Sequence, residues 1–180
     1  MTRKRQQSAM GIDPSVTATG IAVESEGFSF RHTSPLKAKK LKGDYRLTGL
    51  FDEITYTIGW VEMMGFPVKL AIMEDLPTHA KSAGLTGRAQ GAVRMALSEA
   101  GVPYMSLPPA TLKKVATGKG NADKAAMRAA LPQAYSDVLA DDNQVDAFWL
   151  AEIAKHYMGE PADLLAMPEW LPELHIEGGE

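Results

Sequence analysis

At 180 residues, 45% hydrophobic and 23% charged, the chain suits one globular domain, and its composition is not that of a disordered segment. It contains no cysteine, which excludes disulfides, thiolate nucleophiles and cysteine-held zinc and fits a reducing, cytoplasmic setting. The formal net charge of -3 hides an asymmetry: residues 1–128 carry 18 Lys and Arg against 11 Asp and Glu, whereas residues 129–180 carry Lys155 against 11 acids.

A basic body of this kind can hold polyanions although the whole chain is acidic. No apolar run is long enough to span a bilayer and no signal-peptide pattern is present, so no membrane association is expected.

Ser8 to Asp13 and Thr19 to Ser25 read as short strands joined by the turn Pro14-Ser15-Val16-Thr17-Ala18. Glu26-Gly27 then leads into a third strand over Phe28–Thr33. Strands linked this closely predict an antiparallel meander. A basic connection follows, with Lys37, Lys39, Lys40, Lys42 and Arg46. Leu47, Leu50, Phe51, Ile54, Ile58, Val61 and Met64 recur at three- and four-residue spacing, the mark of an amphipathic helix ending by Gly65.

Val68 to Glu74 is an apolar run of strand length closed by a carboxylate. Ser82 to Ala100 predicts a helix rich in small residues, with Gly87 and Gly91 suited to close packing. Val102–Leu107 reads as a strand and Pro108–Ala116 as a short helix. The turn Thr117-Gly118-Lys119-Gly120 comes next, with Asn121 as the expected cap of a helix running to about Leu131.

The last helix is expected from about Asp142 to Met158. Residues 159–180 read as an acidic, proline-containing tail whose Trp170, Leu171 and Leu174 suit docking on the body or contact with a partner, docking being the simpler reading. This order predicts an α/β fold: a mixed five-stranded sheet, three strands antiparallel and two parallel, flanked by helices in one domain over residues 1–158.

Three acids stand where an ordinary explanation fits each one singly but not all together. Asp13 closes an apolar strand, where burial disfavours a charge; taken alone it reads as a turn aspartate. Glu74 repeats the situation on a second strand, and alternation sends Asp75 to the opposite face. In Asp141-Asp142-Asn143-Gln144-Val145-Asp146, Asp142 and Asp146 share a helix face, with Asn143 beside them.

Acids in a first helical turn suit the dipole, so capping explains Asp141 and Asp142; Asp146 lies deeper and is harder to explain that way. Hard oxygen donors without cysteine suit magnesium or manganese. Lys113 and Lys124 flank the glycine turn. Lys124, in a first helical turn, becomes favourable there if a phosphate binds the same helix end. The four histidines show no ligand-like spacing.

In this order the motifs resemble the RuvC-type Holliday junction resolvases of the RNase H-like nuclease superfamily. Gly11-Ile12-Asp13-Pro14 with Thr19-Gly20-Ile21-Ala22-Val23 resembles the family's first-strand signature, and Ala71-Ile72-Met73-Glu74 its second catalytic strand. Ser82-Ala83-Gly84-Leu85 with Gly87-Arg88-Ala89-Gln90-Gly91 resembles the helix that follows. The stretch from Leu112-Lys113-Lys114 to Asp123-Lys124 resembles the basic DNA-contacting segment, and Asp146-Ala147 the start of the catalytic part of the last helix.

Two positions depart from the family pattern. Asn143 stands where bacterial members usually carry Asp or His three residues before the final aspartate. Some relatives use an acid four residues before it, which makes Asp142 the preferred fourth ligand here. Pro77 replaces an aromatic that wedges into the junction centre, and the acidic tail looks more like phage-type members.

The resemblance implies two Mg2+ or Mn2+ ions held by Asp13, Glu74, Asp142 and Asp146, with Asn143 as a weak ligand or neighbour. Lys124 balances charge at the attacked phosphate, and Lys37, Lys39, Lys40, Lys42, Arg88, Lys113, Lys114 and Lys119 hold DNA. A homodimer is implied, because a four-way junction has two-fold symmetry.

The rival readings are a related nuclease for other branched DNA or structured RNA, a junction-binding protein without catalysis, and an actin-like ATPase. The last is poor: the position two after Asp13 is Ser15, and the chain is too short for two such domains.

Overall fold

In the computed structural model, which describes residues 6–34, 40–76, 83–160 and 162, the alternating runs become β1 (Ser8–Asp13), β2 (Gly20–Ser25), β3 (Phe28–Thr33), β4 (Val68–Glu74) and β5 (Tyr104–Leu107). The helices are α1 (Tyr45–Met63), α2 (Ala83–Glu99), α3 (Pro109–Thr117), α4 (Lys124–Ala129), α5 (Gln133–Ser136) and α6 (Asp142–Tyr157).

The sheet has the order β3-β2-β1-β4-β5. β1 to β3 form the expected antiparallel meander, and β4 and β5 add to β1 in parallel. β4 cannot follow β3 by a hairpin and also run parallel to β1. The chain therefore crosses over through α1, as parallel pairing requires.

Alternation sorts the side chains of each strand between two layers. Met10, Ile12, Ala71 and Met73 face α1 and α2, where Leu50, Ile54, Val61, Val93 and Leu97 complete a core. Ala9, Leu70 and Ile72 face α6, where Val145, Phe148, Trp149 and Ile153 complete the second.

α6 lies directly on β1 and β2 because Gly11 and Gly20 carry no side chain. A Cβ at Gly11 would come far closer than van der Waals contact to the Ala147 carbonyl oxygen and the Ala151 nitrogen. One at Gly20 would do the same to the Asn143 carbonyl. Ala22, Ala147 and Ala151 fill the seam between them.

Local chemistry moves two helix boundaries. Asp123, not Asn121, caps α4: its extended backbone (φ -85°, ψ 175°) aims the carboxylate at the Ala126 N–H, 2.8 Å away. The same helix stops at Ala129, before the restriction that Pro132 imposes on Leu131. The unexpected α5 follows. It is attached by its aromatic ring: Tyr135 packs 4.7 Å from Phe148, and the Arg31 guanidinium lies 4.5 Å over it.

Arg31 also pairs with the buried Glu24 at 2.8 Å. Burial pushes Glu24 up to about 7, against the Arg31 charge and the Ser29 hydrogen bond.

Lys37, Lys39, Pro77, His79 and the predicted tail beyond Glu160, Ala162 excepted, lie outside the described residues. Among the described residues no helix is long and apolar enough to cross a membrane.

Candidate active site

β1 and β4 are adjacent and parallel, so their last residues, Asp13 and Glu74, reach the same edge of the sheet. Ligand sites in such sheets form where strands end at their carboxyl side. β3 runs the same way as β1, and β2 starts at this edge, with Asp13 paired to Gly20 and Gly20 to Thr33. Alternation puts all four residues on the α6 face. Thr33, Gly20, Asp13 and Glu74 thus form a row across four strands, and the N-terminal half of α6 lies over it.

Asp13 and Glu74 stand close enough at this edge for each to influence the other's proton affinity. Burial, then the charge of Asp146, push Asp13 up to about 7; Lys124 opposes this and Asp141 adds to it. Burial, then Asp13 and Asp146, push Glu74 up to about 8, with Lys113 opposing. Burial raises Asp146 to about 6 against Lys113, with Asp142 raising it further.

The structure therefore brings together Asp13, Glu74 and Asp146, with two cations near them. Lys113 reaches them from the last turns of α3 and Lys124 from the first turn of α4. Glu74 is held from behind as well: the buried Gln90 of α2 donates its amide to the Glu74 carbonyl oxygen at 2.8 Å.

Asp142 is engaged differently. Its Oδ2 is 3.0 Å from Lys124 Nζ and its Oδ1 is 3.7 Å from Arg128 Nη2. Asn143 presses its backbone against Gly20, on the strand next to Asp13. The N-terminus of α6 is capped by Asp141, whose Oδ1 accepts the Gln144 N–H at 3.0 Å.

Among the described residues no three Asp, Glu, His or Cys side chains already stand together as a metal cage. The donor set nonetheless fits a divalent cation. Three partly buried carboxyl groups, each with its proton affinity raised, lack the positive charge that would let all of them ionise. Of the expected DNA-binding cations, Lys40, Lys42, Arg88, Lys114 and Lys119 are exposed, and Lys113 is half-buried.

Sequence reasoning missed the supporting groups Gln90, Thr33 and Gln144. A lone Gln or Thr carries no signal that separates it from any polar residue; only the strand order shows what each one touches.

The sheet order, with acids closing β1 and β4 and a third on the helix laid across them, defines an RNase H-like fold. The family model described as "Crossover junction endodeoxyribonuclease RuvC" matches residues 9–133. A protein of that description from Chlamydia trachomatis serovar L2 is 30% identical over 154 residues, covering 82% of this chain and 90% of the relative. One from Rhodopirellula baltica is 32% identical over 129 residues, covering 68% and 70%. The chain belongs to the RuvC family of crossover junction endodeoxyribonucleases.

Solved structures agree on the fold. Thermus thermophilus RuvC superposes with a TM-score of 0.64 at 21% identity, covering 88% of this chain and 99% of that one. The T. thermophilus RuvC in complex with a Holliday junction substrate gives 0.64 at 20% identity, covering 87% and 97%.

Proposed function

We propose that the chain is a divalent-metal-dependent endodeoxyribonuclease that resolves four-way DNA junctions by paired phosphodiester hydrolysis, leaving 5′-phosphate and 3′-hydroxyl ends. The observation that carries this reading is the convergence of Asp13, Glu74 and Asp146 at one sheet edge, each with its proton affinity raised by burial.

Asp13, Glu74 and Asp146 are the residues that would hold two Mg2+ or Mn2+ ions, with Asn143 presenting an amide from the same turn of α6. Such a pair of ions activates water and stabilises the leaving oxygen. The chain's own residues do the rest. Asp13, which interacts with both Glu74 and Asp146, would be shared between the ions. Lys113 and Lys124 sit beside the carboxylates and offset charge on the attacked phosphate.

Lys37, Lys39, Lys40, Lys42, Arg88, Lys114 and Lys119 hold backbone phosphates, so binding falls as salt rises. Two symmetric cuts call for a homodimer, and the exposed Tyr56 and Met63 of α1 and Leu85 and Met95 of α2 suit that interface.

Asp142 was expected as the fourth metal ligand. Its ion pairs with Lys124 and Arg128 lead us to assign it to Lys124 instead, as the group that holds this exposed lysine over the site. Asp142→Asn should then lower turnover about as much as Lys124→Ala, with the double variant no worse than either. The Mg2+ concentration for half-maximal cleavage should stay at the wild-type value. A rise of about 10-fold or more in that concentration returns Asp142 to the ligand set.

The reading as a whole is tested by comparing a synthetic four-way junction with duplex, flap and hairpin DNA. The expected result is paired, symmetric nicks on the junction in Mg2+, and binding without cleavage in Ca2+. Equal cutting of all branched substrates would replace junction resolution with general branched-DNA cleavage, and no cutting of any would overturn the enzyme.

A further inference from the structure

The row at the sheet edge contains one side chain with no part in the chemistry above. Thr33 closes β3, two strands from Asp13, yet its side chain is wired to the start of α6. Its hydroxyl donates to Asp141 Oδ2 at 2.7 Å and accepts from Gln144 Nε2 at 3.1 Å. The other oxygen of Asp141 caps the Gln144 N–H at 3.0 Å, and Gln144 Oε1 accepts the Ala140 N–H at 3.2 Å. A carboxylate can only accept and the amide NH2 can only donate, so the atom between them must do both. A hydroxyl does.

The placement matters because of what lies along α6. Asp141 stands over Thr33 on β3, the Asn143 backbone abuts Gly20 on β2, and Asp146 acts on Asp13 of β1. Five residues of helix advance roughly 7.5 Å, while strands lie about 4.8 Å apart. The N-terminal half of α6 thus spans the row from β3 to β1.

From its middle onward α6 is secured by Phe148, Trp149, Leu150 and Ile153 in the core. At the other end of α6, among the described residues, the side-chain hydrogen bonds that join it to the sheet run through Thr33. Loosening that end lets the first turns swing while the core stays packed, and the acids on those turns move relative to Asp13.

We propose that Thr33 is a positioning residue of the active site: its hydroxyl, held between Asp141 and Gln144, ties the first turn of α6 to β3 and so sets Asp146 against Asp13. The proposal rests on the reading of Asp13, Glu74 and Asp146 as the metal-holding group.

It is tested in the full chain with Thr33→Val, which keeps the shape and removes the hydroxyl, and Thr33→Ser, which keeps the hydroxyl and removes the methyl group. Two readouts are taken for each: the Mg2+ concentration for half-maximal junction cleavage, and Mn2+ affinity by calorimetry without DNA. Thr33→Val should need about 10-fold more metal in both. Thr33→Ser should stay within about twofold of wild type, and both should retain a cooperative thermal transition.

Wild-type metal dependence in Thr33→Val overturns the proposal, as does a Ser variant impaired as much as Val. Should Thr33→Val fail to fold, Gln144→Met removes the amide half of the same link and is read by the same two titrations. Asp146→Asn is run alongside. If it is inactive while Thr33→Val behaves as wild type, only the positioning role of Thr33 is lost; if it cuts normally, the site reading falls and takes the proposal with it.

Discussion

Asp146→Asn is expected to abolish Mg2+-dependent cleavage, on the order of a thousandfold or more, while making the metal-free protein more stable at pH 8. The two effects share one cause. In the folded chain burial pushes Asp13, Glu74 and Asp146 up to about 7, 8 and 6, far above their ordinary carboxylate values; the Asp146 charge adds to the rise of the other two, and the Asp142 charge to that of Asp146. An acid whose folded pKa is raised binds its proton more tightly in the folded state than in the unfolded one. Its stabilising contribution is full below about pH 4 and is lost as the pH climbs through 6 to 8.

Asparagine keeps the shape without the charge, so the variant escapes that loss. Its advantage over wild type should be near zero at pH 4 and grow to about 2 kcal/mol at pH 8, or about 4–8 °C in Tm for a chain of this size. Glu24, also raised, is present in both proteins and cancels from the comparison.

Saturating Mg2+ should reverse the order, because the wild type gains binding energy that the variant lacks. Melting curves in EDTA at pH 4, 6 and 8, repeated with Mg2+, check all of this. A variant that cuts at the wild-type rate, or whose advantage does not change with pH, would sink the assignment of Asp146.

The second large effect comes from a residue with no side chain. Gly11→Ala places a methyl group into the Ala147 carbonyl oxygen and the Ala151 nitrogen, both backbone atoms of α6 that cannot swing aside as a side chain can. Either α6 lifts off β1 or the strand distorts. Overpacking of this kind costs about 1–3 kcal/mol, and more where the obstacle is backbone.

Because Asp146 precedes Ala147, lifting α6 also withdraws Asp146 from Asp13. Loss of cleavage should therefore exceed what the fall in stability explains, and should persist at temperatures where the variant is folded. Gly59→Ala supplies the contrast. It lies in α1 with nothing within 4 Å of the added methyl group, so it should stabilise by about 0.5–1 kcal/mol without altering activity. Chemical denaturation and junction cleavage on both variants decide the matter. If Gly11→Ala matches Gly59→Ala, the close contact of α6 with β1 does not position the site.

Much of this architecture could be read along the chain. The apolar runs closing at Asp13 and Glu74 have the ends that the structure shows, and so does the strand over Phe28–Thr33. The three- and four-residue spacing from Leu47 to Met64 marks α1 to within two residues. The acids stand out because a charged residue at the end of a buried strand conflicts with its neighbours, and that conflict is local. Family-like order among the motifs then pointed to one sheet carrying them.

Other features were beyond local reasoning. Asn121 and Asp123 are equally good caps by composition, and only the backbone angles choose Asp123. Asp142 acts on Asp146, as a helical wheel suggests, but its ion pairs with Lys124 and Arg128 of the neighbouring α4 leave no mark on the local sequence. α5 has no strong periodicity and is held by Arg31 and Phe148, both distant in the chain.

The sequence by itself determined which residues are strand-like, which helical face is apolar, and that three acids sit where acids are costly. Tertiary structure alone decided that β1 lies between β2 and β4, which brings Asp13 beside Glu74. It also decided that Gly11 and Gly20 let α6 down onto the sheet, and that Thr33 meets Asp141 across 108 positions. The physical reason is that periodicity and capping are written over a few neighbouring residues. Strand order and helix seating depend on how whole faces fill space together.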